Sequence, residues 1–301
     1  MKRDFLKLRD RSPAEYRKLF DRTHELKRRR KANRIDSTLL GKTLVLLFEK
    51  ASTRTRLSFE AAMFQLGGHA IDLPMSQSQL NRGEPLTDTA KVLSGYADAV
   101  VFRTHGDDRL ETFAKTATVP VINGLSDGGH PVQVLTDLFT IEEKLGGVAG
   151  KKIAFVGDGA SNMARSFVEA SRLFEFELHL GAPNDFRPPQ GDLDQAGNWT
   201  RVFADPREAV AGADVVITDV WTSMGQEAET ARRLEAFKGF TLDNALLNFA
   251  KPTAPVLHCL PAHRGEEIAA EVIDGPRSVV FEEAENRMHV QKALLEQLLL
   301  G

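Results

Sequence analysis

The 301 residues are 42% hydrophobic and 27% charged, with 39 Lys and Arg against 42 Asp and Glu and a formal net charge of -3. These fractions exclude disordered, collagen-like and coiled-coil chains, and no apolar run approaches the ~18 residues that would span a bilayer. One cysteine, Cys259, excludes an intrachain disulfide and a Cys-rich zinc site.

The first segment is basic. Residues 1–34 hold 14 Lys and Arg against 5 Asp and Glu. No aromatic residues interleave with Lys27-Arg28-Arg29-Arg30-Lys31, so the run reads as the solvated end of a helix, where cations complement the dipole, and not as a nucleic-acid arm. No signal-peptide core follows Met1-Lys2-Arg3, and a cytoplasmic location is expected.

Ser12-Pro13-Ala14-Glu15 is a capping box with Pro at the first helical position, predicting a helix over 13–31. The apolar run 43–48 reads as a buried strand, and a helical pattern follows to Leu66, stopped by Gly67-Gly68. Strands are predicted at 69–73, 99–103 and 119–123, with helices around 87–96 and 109–115. Pro131 opens a helix to Lys144, the candidate domain connector. A second alternating series has strands at 152–156, near 177–180, 202–204, 214–219 and 256–260, and a closing amphipathic helix at 283–299. Residues 181–191, rich in Pro and Gly, read as a surface loop. The alternation predicts two open parallel-sheet α/β domains joined by long helices, 1–145 and 146–283, with 284–301 packing back on the first. Ligands in such folds bind beyond the carboxyl ends of strands.

Three segments carry chemistry. Ser52-Thr53-Arg54-Thr55-Arg56 packs hydroxyls and guanidiniums into the start of a helix, where unpaired N–H groups and the dipole favour a phosphate. An N-cap would account for one of the hydroxyls, but not for three alternating with two arginines. Asp219 ends the apolar run Val215-Val216-Ile217-Thr218, where a carboxylate would emerge at the ligand edge and could bind an ammonium. Gly157-Asp158-Gly159-Ala160-Ser161-Asn162 has a dinucleotide-like beginning, but Asn162 stands at the third glycine position, which disfavours a nicotinamide cofactor.

The chain carries, in this order, Ser52-Thr53-Arg54-Thr55-Arg56, Phe102-Arg103-Thr104, His130-Pro131-Val132-Gln133, Asp219-Val220-Trp221-Thr222-Ser223-Met224-Gly225, His258-Cys259-Leu260-Pro261 and Glu285-Asn286-Arg287. On these motifs it resembles the aspartate/ornithine carbamoyltransferase family from about residue 39 to 299. The Ser-Met-Gly and His-Cys-Leu-Pro segments are similar to the ornithine branch. A different amine, such as acetylornithine, putrescine or aspartate, is the alternative. Aspartate is disfavoured because Asn81-Arg82-Gly83-Glu84 stands where its relatives carry a Lys-Lys-Gly-Glu-like loop. A non-catalytic anion-binding protein on the same fold is the further alternative, and the set Arg54, Arg103, His130, Gln133, Cys259 and Arg287 speaks against it.

The resemblance implies transfer of a carbamoyl group from carbamoyl phosphate to the side-chain amine of ornithine, giving citrulline for arginine biosynthesis, without metal or cofactor. Ser52, Thr53, Arg54 and Thr55 would hold the phosphate, joined by Gln79 of a neighbouring subunit. Arg103, His130 and Thr55 would surround the carbonyl oxygen; Gln133, the Leu260 carbonyl and Arg287 would fix the amide. Asn162, Asp219, Ser223 and Met224 would hold ornithine, with Cys259 beside the reacting amine. His130 is expected to donate a hydrogen bond and not to act as a base, because nearby arginines disfavour its charged form. His258 is not expected to activate Cys259, since adjacent strand residues point to opposite faces. Residues 78–84, a polar flexible loop by sequence, would cross into the adjacent subunit, which makes a homotrimer with shared sites the expected assembly. The chain departs from the family pattern at Val132, Ser161 and Arg165, and in a short 181–200 segment. No nucleic acid or membrane partner is expected.

Overall fold

The computed structural model describes residues 2–50, 52–222 and 229–301. The chain divides into two compact units, Met1–Thr136 with Glu285–Gly301, and Asp137–Ala284.

The first unit opens with α1 (Pro13–Lys31), whose capping box forms as the sequence predicts. Ser12 Oγ accepts from the Glu15 N–H at 3.4 Å, and Glu15 Oε2 accepts from the Ser12 N–H at 2.9 Å. Losing such a cap costs ~1 kcal/mol. Ser12→Ala should therefore lower the urea midpoint by an amount equivalent to that figure, and an unchanged midpoint would show that the cap contributes nothing.

There follow β1 (Thr43–Phe48), α2 (Thr53–Gln65), β2 (His69–Pro74), α3 (Leu86–Tyr96), β3 (Ala99–Arg103), α4 (Asp107–Thr116) and β4 (Val121–Leu125). The strands are all parallel, in the order β2-β1-β3-β4. β1 is buried at five of its six positions, as a strand covered on both faces must be. Val45, Leu47, Phe102 and Phe113 pack one side of this sheet, with the two phenylalanine rings 4.9 Å apart. Gly67, at φ +80, supplies the left-handed residue that ends α2. β4 begins two residues later than predicted, because Pro120 cannot donate to the ladder.

Helix α5 (Pro131–Leu145) passes from the first unit into the second. The second unit contains β5 (Lys152–Val156), α6 (Asn162–Leu173), β6 (Glu177–Gly181), α7 (Gln190–Ala196), β7 (Thr200–Phe203), α8 (Pro206–Val210), β8 (Val215–Thr218), α9 (Thr230–Ala236), α10 (Asn244–Leu247), β9 (Val256–Leu257) and α11 (Ala270–Ile273). Its parallel order is β7-β6-β5-β8-β9. The closing helix α12 (Val280–Leu300) returns the chain to the first unit. Two parallel-sheet α/β units are thus the fold.

Residues 181–191 correct the expectation of a plain surface loop. Phe186 is buried in the second core, its ring 4.7 Å from that of Phe237, and α7 begins at Gln190. No helix of the described residues is long and apolar enough to cross a membrane.

Candidate active site

In an open parallel sheet the chain leaves a crevice where the strand order reverses direction. In the first unit that point lies between β1 and β3, and Phe48 pairs in register with Arg103 at their carboxyl ends. Ser52 follows β1 and caps α2, its Oγ accepting from the Thr55 N–H at 3.3 Å. The first turn of α2 holds no acidic residue, so its positive end is uncompensated. Arg54 is half-buried, with no ion-pair partner among the described residues. Arg56 lies elsewhere: it is exposed and pairs with Asp72 of β2 at 3.0 Å. Residues two apart on a helix do not share a face, so the sequence reading of two arginines on one anion is corrected to one.

Thr55 is buried, and its Oγ1 accepts from Arg287 Nη2 at 2.6 Å. The same guanidinium donates to Gln133 Oε1 at 2.9 Å and lies 3.4 Å from His130 Nε2. A guanidinium can only donate, so His130 Nε2 accepts and the neutral ring carries its proton on Nδ1. Burial, then Arg287, then Arg103, holds His130 well below its ordinary pKa. The arginines anticipated from sequence therefore contribute, but burial contributes more. Arg103 is buried, its Nη1 3.5 Å from the Gly124 carbonyl oxygen. The first unit thus gathers Thr55, His130, Gln133 and Arg287 into one bonded cluster, beside the strand end that carries Arg103.

Gln79 stands apart from this cluster. It is exposed on a 3-10 turn, Gln79–Arg82, capped by Ser78, whose Oγ accepts from the Leu80 N–H at 3.2 Å. Residues 78–84, expected to be a polar flexible loop, hold this one turn, and a second such turn, Met75–Gln77, precedes them.

In the second unit the order reverses between β5 and β8. Asp219 follows β8 and is buried. The Cys259 thiol donates to its Oδ1 at 3.2 Å, and the Val220 N–H donates to the same oxygen at 2.8 Å. Burial pushes the Asp219 carboxyl up. Burial, then Asp219, Glu283 and Asp137, pushes the Cys259 thiol well above its ordinary value. Cys259 is therefore a protonated donor in this arrangement, not a thiolate nucleophile.

His258 is not its base, though for a different reason than strand alternation. β9 ends at Leu257, so 258–260 lie beyond the strand. The Leu260 N–H donates to His258 Nδ1 at 2.9 Å, which places the ring proton on Nε2, directed at Glu267 Oε1 at 3.0 Å. Leu260 itself has φ +59, a left-handed conformation that bulky side chains rarely adopt.

The turn after β5 closes against its own chain. A Cβ on Gly159 would lie 2.8 Å from the Phe186 carbonyl oxygen and 3.0 Å from Pro188. The glycine serves chain packing, not the approach of a pyrophosphate. Asp158 is held by Arg233 at 2.6 Å, and the same guanidinium donates to the Trp221 carbonyl at 2.8 Å. Ser161 caps α6 by accepting from the Ala164 N–H at 3.2 Å, leaving Asn162 as the first helical residue. Arg165, a departure noted in the sequence, pairs with Asp192 of α7 at 2.7 Å. Ser223 and Met224 lie outside the described residues.

Three buried carboxyl groups were not singled out by sequence. Glu283 accepts from the His258 N–H at 3.0 Å and is hydrogen-bonded to Asp137, while Glu267 accepts from His258. Helical spacing offered a signal for two of them. Asp137 follows Gln133 by four positions, and Glu283 precedes Arg287 by four, so each shares a face with a site residue. Glu267 carried none.

A helix start carrying hydroxyls and Arg54, and a buried carboxyl group bonded to a thiol, are the chemistry that a transferase moving a group from an anionic donor to an amine would use. The aspartate/ornithine carbamoyltransferase carbamoyl-P binding domain matches residues 3–143, and the Asp/Orn binding domain of the same family matches 149–298. The chain belongs to the aspartate/ornithine carbamoyltransferase family. It is 52% identical over 299 residues to the ornithine carbamoyltransferase of Halorhodospira halophila, covering 99% of each chain. It is 51% identical to that of Chromobacterium violaceum, covering 99% of this chain and 97% of the relative. The solved ornithine carbamoyltransferase from Pyrococcus furiosus superposes with a TM-score of 0.95 at 44% identity, covering 100% of this chain and 98% of that one.

Proposed function

We propose that the protein transfers the carbamoyl group of carbamoyl phosphate to the side-chain amine of L-ornithine, giving L-citrulline and phosphate. The amine nitrogen bonds to the carbonyl carbon, the carbon–oxygen bond to phosphate breaks, and the phosphate departs with that electron pair. A nitrogen proton leaves with it, the leaving phosphate being the acceptor. The observation that carries this reading is the placement of both candidate edges at the reversal points of their sheets: Ser52–Arg54 and Arg103 in one unit, Asp219 in the other.

In this reading the first unit holds the donor. Ser52, Thr53, Arg54 and Thr55 bind the phosphate, and Gln79 of a neighbouring subunit completes the cradle. Arg103, His130 and Thr55 face the carbonyl oxygen as it gains charge. Gln133, Arg287 and the Leu260 carbonyl fix the amide. In the second unit Asn162, Ser223 and Met224 hold the amino-acid end of ornithine, while Asp219 and Cys259 orient its amine. A free side-chain amine has a pKa near ~10.4, so its neutral fraction is small at ordinary pH. Asp219, already engaged by the thiol, positions the nitrogen. We further propose a cytoplasmic homotrimer with sites shared between subunits, producing citrulline for arginine biosynthesis.

A colorimetric ureido assay with carbamoyl phosphate and four amines in parallel tests the substrate. Turnover is expected with ornithine and not with acetylornithine, putrescine or aspartate. Activity confined to one of the other three would overturn the assignment, and activity with none would leave only the anion-binding alternative.

A further inference from the structure

A second group of metal-ligating side chains lies in the second unit, in the segment after the Leu260–Pro261 peptide. His263, Glu266 and Glu267 each bring one ligand atom to within 4.8 Å of the others. His263 Nδ1 is 3.6 Å from Glu266 Oε2 and 4.0 Å from Glu267 Oε2. Ligand atoms on a tetrahedral ion with bonds of ~2.0–2.1 Å are separated by about 3.3 Å. Small side-chain rotations would therefore close the observed spacing onto one ion.

Glu267 makes this more than a surface cluster of charges. Its side chain is fully buried. Oε1 is occupied, accepting from His258 Nε2 at 3.0 Å and from the His263 N–H at 2.6 Å. Oε2 is buried and has no hydrogen-bond partner among the described residues. It is this oxygen that faces the His263 ring. A buried carboxylate oxygen without a donor is costly to maintain, and a bound cation is the partner that would satisfy it. His263 is exposed and Glu266 half-buried, and between them they supply the entry path.

We propose that His263, Glu266 and Glu267 form a binding site for a divalent transition-metal ion, with zinc the best match. One imidazole and two carboxylates suit zinc better than calcium or magnesium, which prefer oxygen alone. Three protein ligands leave one position for water. Oε1 of Glu267 keeps His258, so the ion and the ring share one carboxylate. Asp219, His258 and Cys259 also lie close together. There, however, His258 Nδ1 is taken by the Leu260 N–H and the thiol proton by Asp219.

Zinc uptake by the full chain, measured by competition with a chromophoric chelator, tests the assignment without reference to turnover. One equivalent is expected in the parent protein and in Cys259→Ser, with loss in His263→Ala and weaker uptake in Glu266→Gln. Cobalt in place of zinc should give tetrahedral d–d absorption without a thiolate-to-cobalt charge-transfer band. Absence of uptake by the parent, full uptake by His263→Ala, or a thiolate band that vanishes in Cys259→Ser would each overturn the site.

Discussion

Replacing Arg54 with Ala is expected to raise the KM for carbamoyl phosphate and to lower kcat by about 10²–10³. The expectation rests on charge placement. The positive end of α2 meets no acid in its first turn, and among the described residues Arg56 of the segment has an acidic partner while Arg54 has none. A dianionic phosphate bound there gains from oriented N–H groups, hydroxyls and one full charge together. The KM for ornithine should change little, since its proposed ligands sit in the other unit. Arg56 supplies the internal control. It shares the motif but is engaged by Asp72 on β2, so Arg56→Ala should disturb only an exposed ion pair, worth ~0–1 kcal/mol. Steady-state kinetics of the two variants decide the matter, and equal losses from both would show that α2 does not present Arg54 alone to the anion.

That contrast also shows what was legible in the sequence. Local features survived the passage to structure: the capping box before α1, the apolar run of β1, and the hydroxyl-and-arginine motif at the start of α2 all depend on neighbours in the chain. Where distant residues decide, the sequence was silent or misleading. The apolar stretch reaching Leu260 suggested a strand of five residues, but pairing ends at Leu257, where Glu283 and Glu267 capture the backbone and ring of His258. The Pro- and Gly-rich stretch after β6 looked like a loop because its turns have no period, yet Phe186 is drawn into the core by Phe237. The partition of Arg54 and Arg56 was not drawn from the sequence, although residues two apart on a helix do not share a face. Nor was it legible that Arg287, 232 positions along the chain from Thr55, would grip its hydroxyl.

His130 separates electrostatic from base catalysis. Its ring is buried beside two arginines, and a proton on Nε2 would be forced against the Arg287 guanidinium. Its pKa lies well below 6.5 in the folded protein, so the ring is neutral at and above that pH. The role consistent with this state is donation from Nδ1 to the carbonyl oxygen. His130→Ala should then lower kcat by about 10²–10³, the usual loss for one such donor. The shape of the pH profile should not change. In parent and variant alike the rate should rise with pH through 6–9, following deprotonation of an amine whose pKa is ~10.4. A base at this position would instead give the parent an acidic limb that disappears in the variant. The same shift has a consequence for stability. In the unfolded chain the ring takes up a proton below about pH 6.5, while the folded protein refuses it until far lower pH. Unfolding therefore binds a proton in that window, and stability must fall as pH drops below about 6.5. Urea midpoints measured from pH 7 to pH 5 should decline less steeply in His130→Asn than in the parent. Parallel curves, together with a lost acidic limb in the kinetics, would return the histidine to the role of a base.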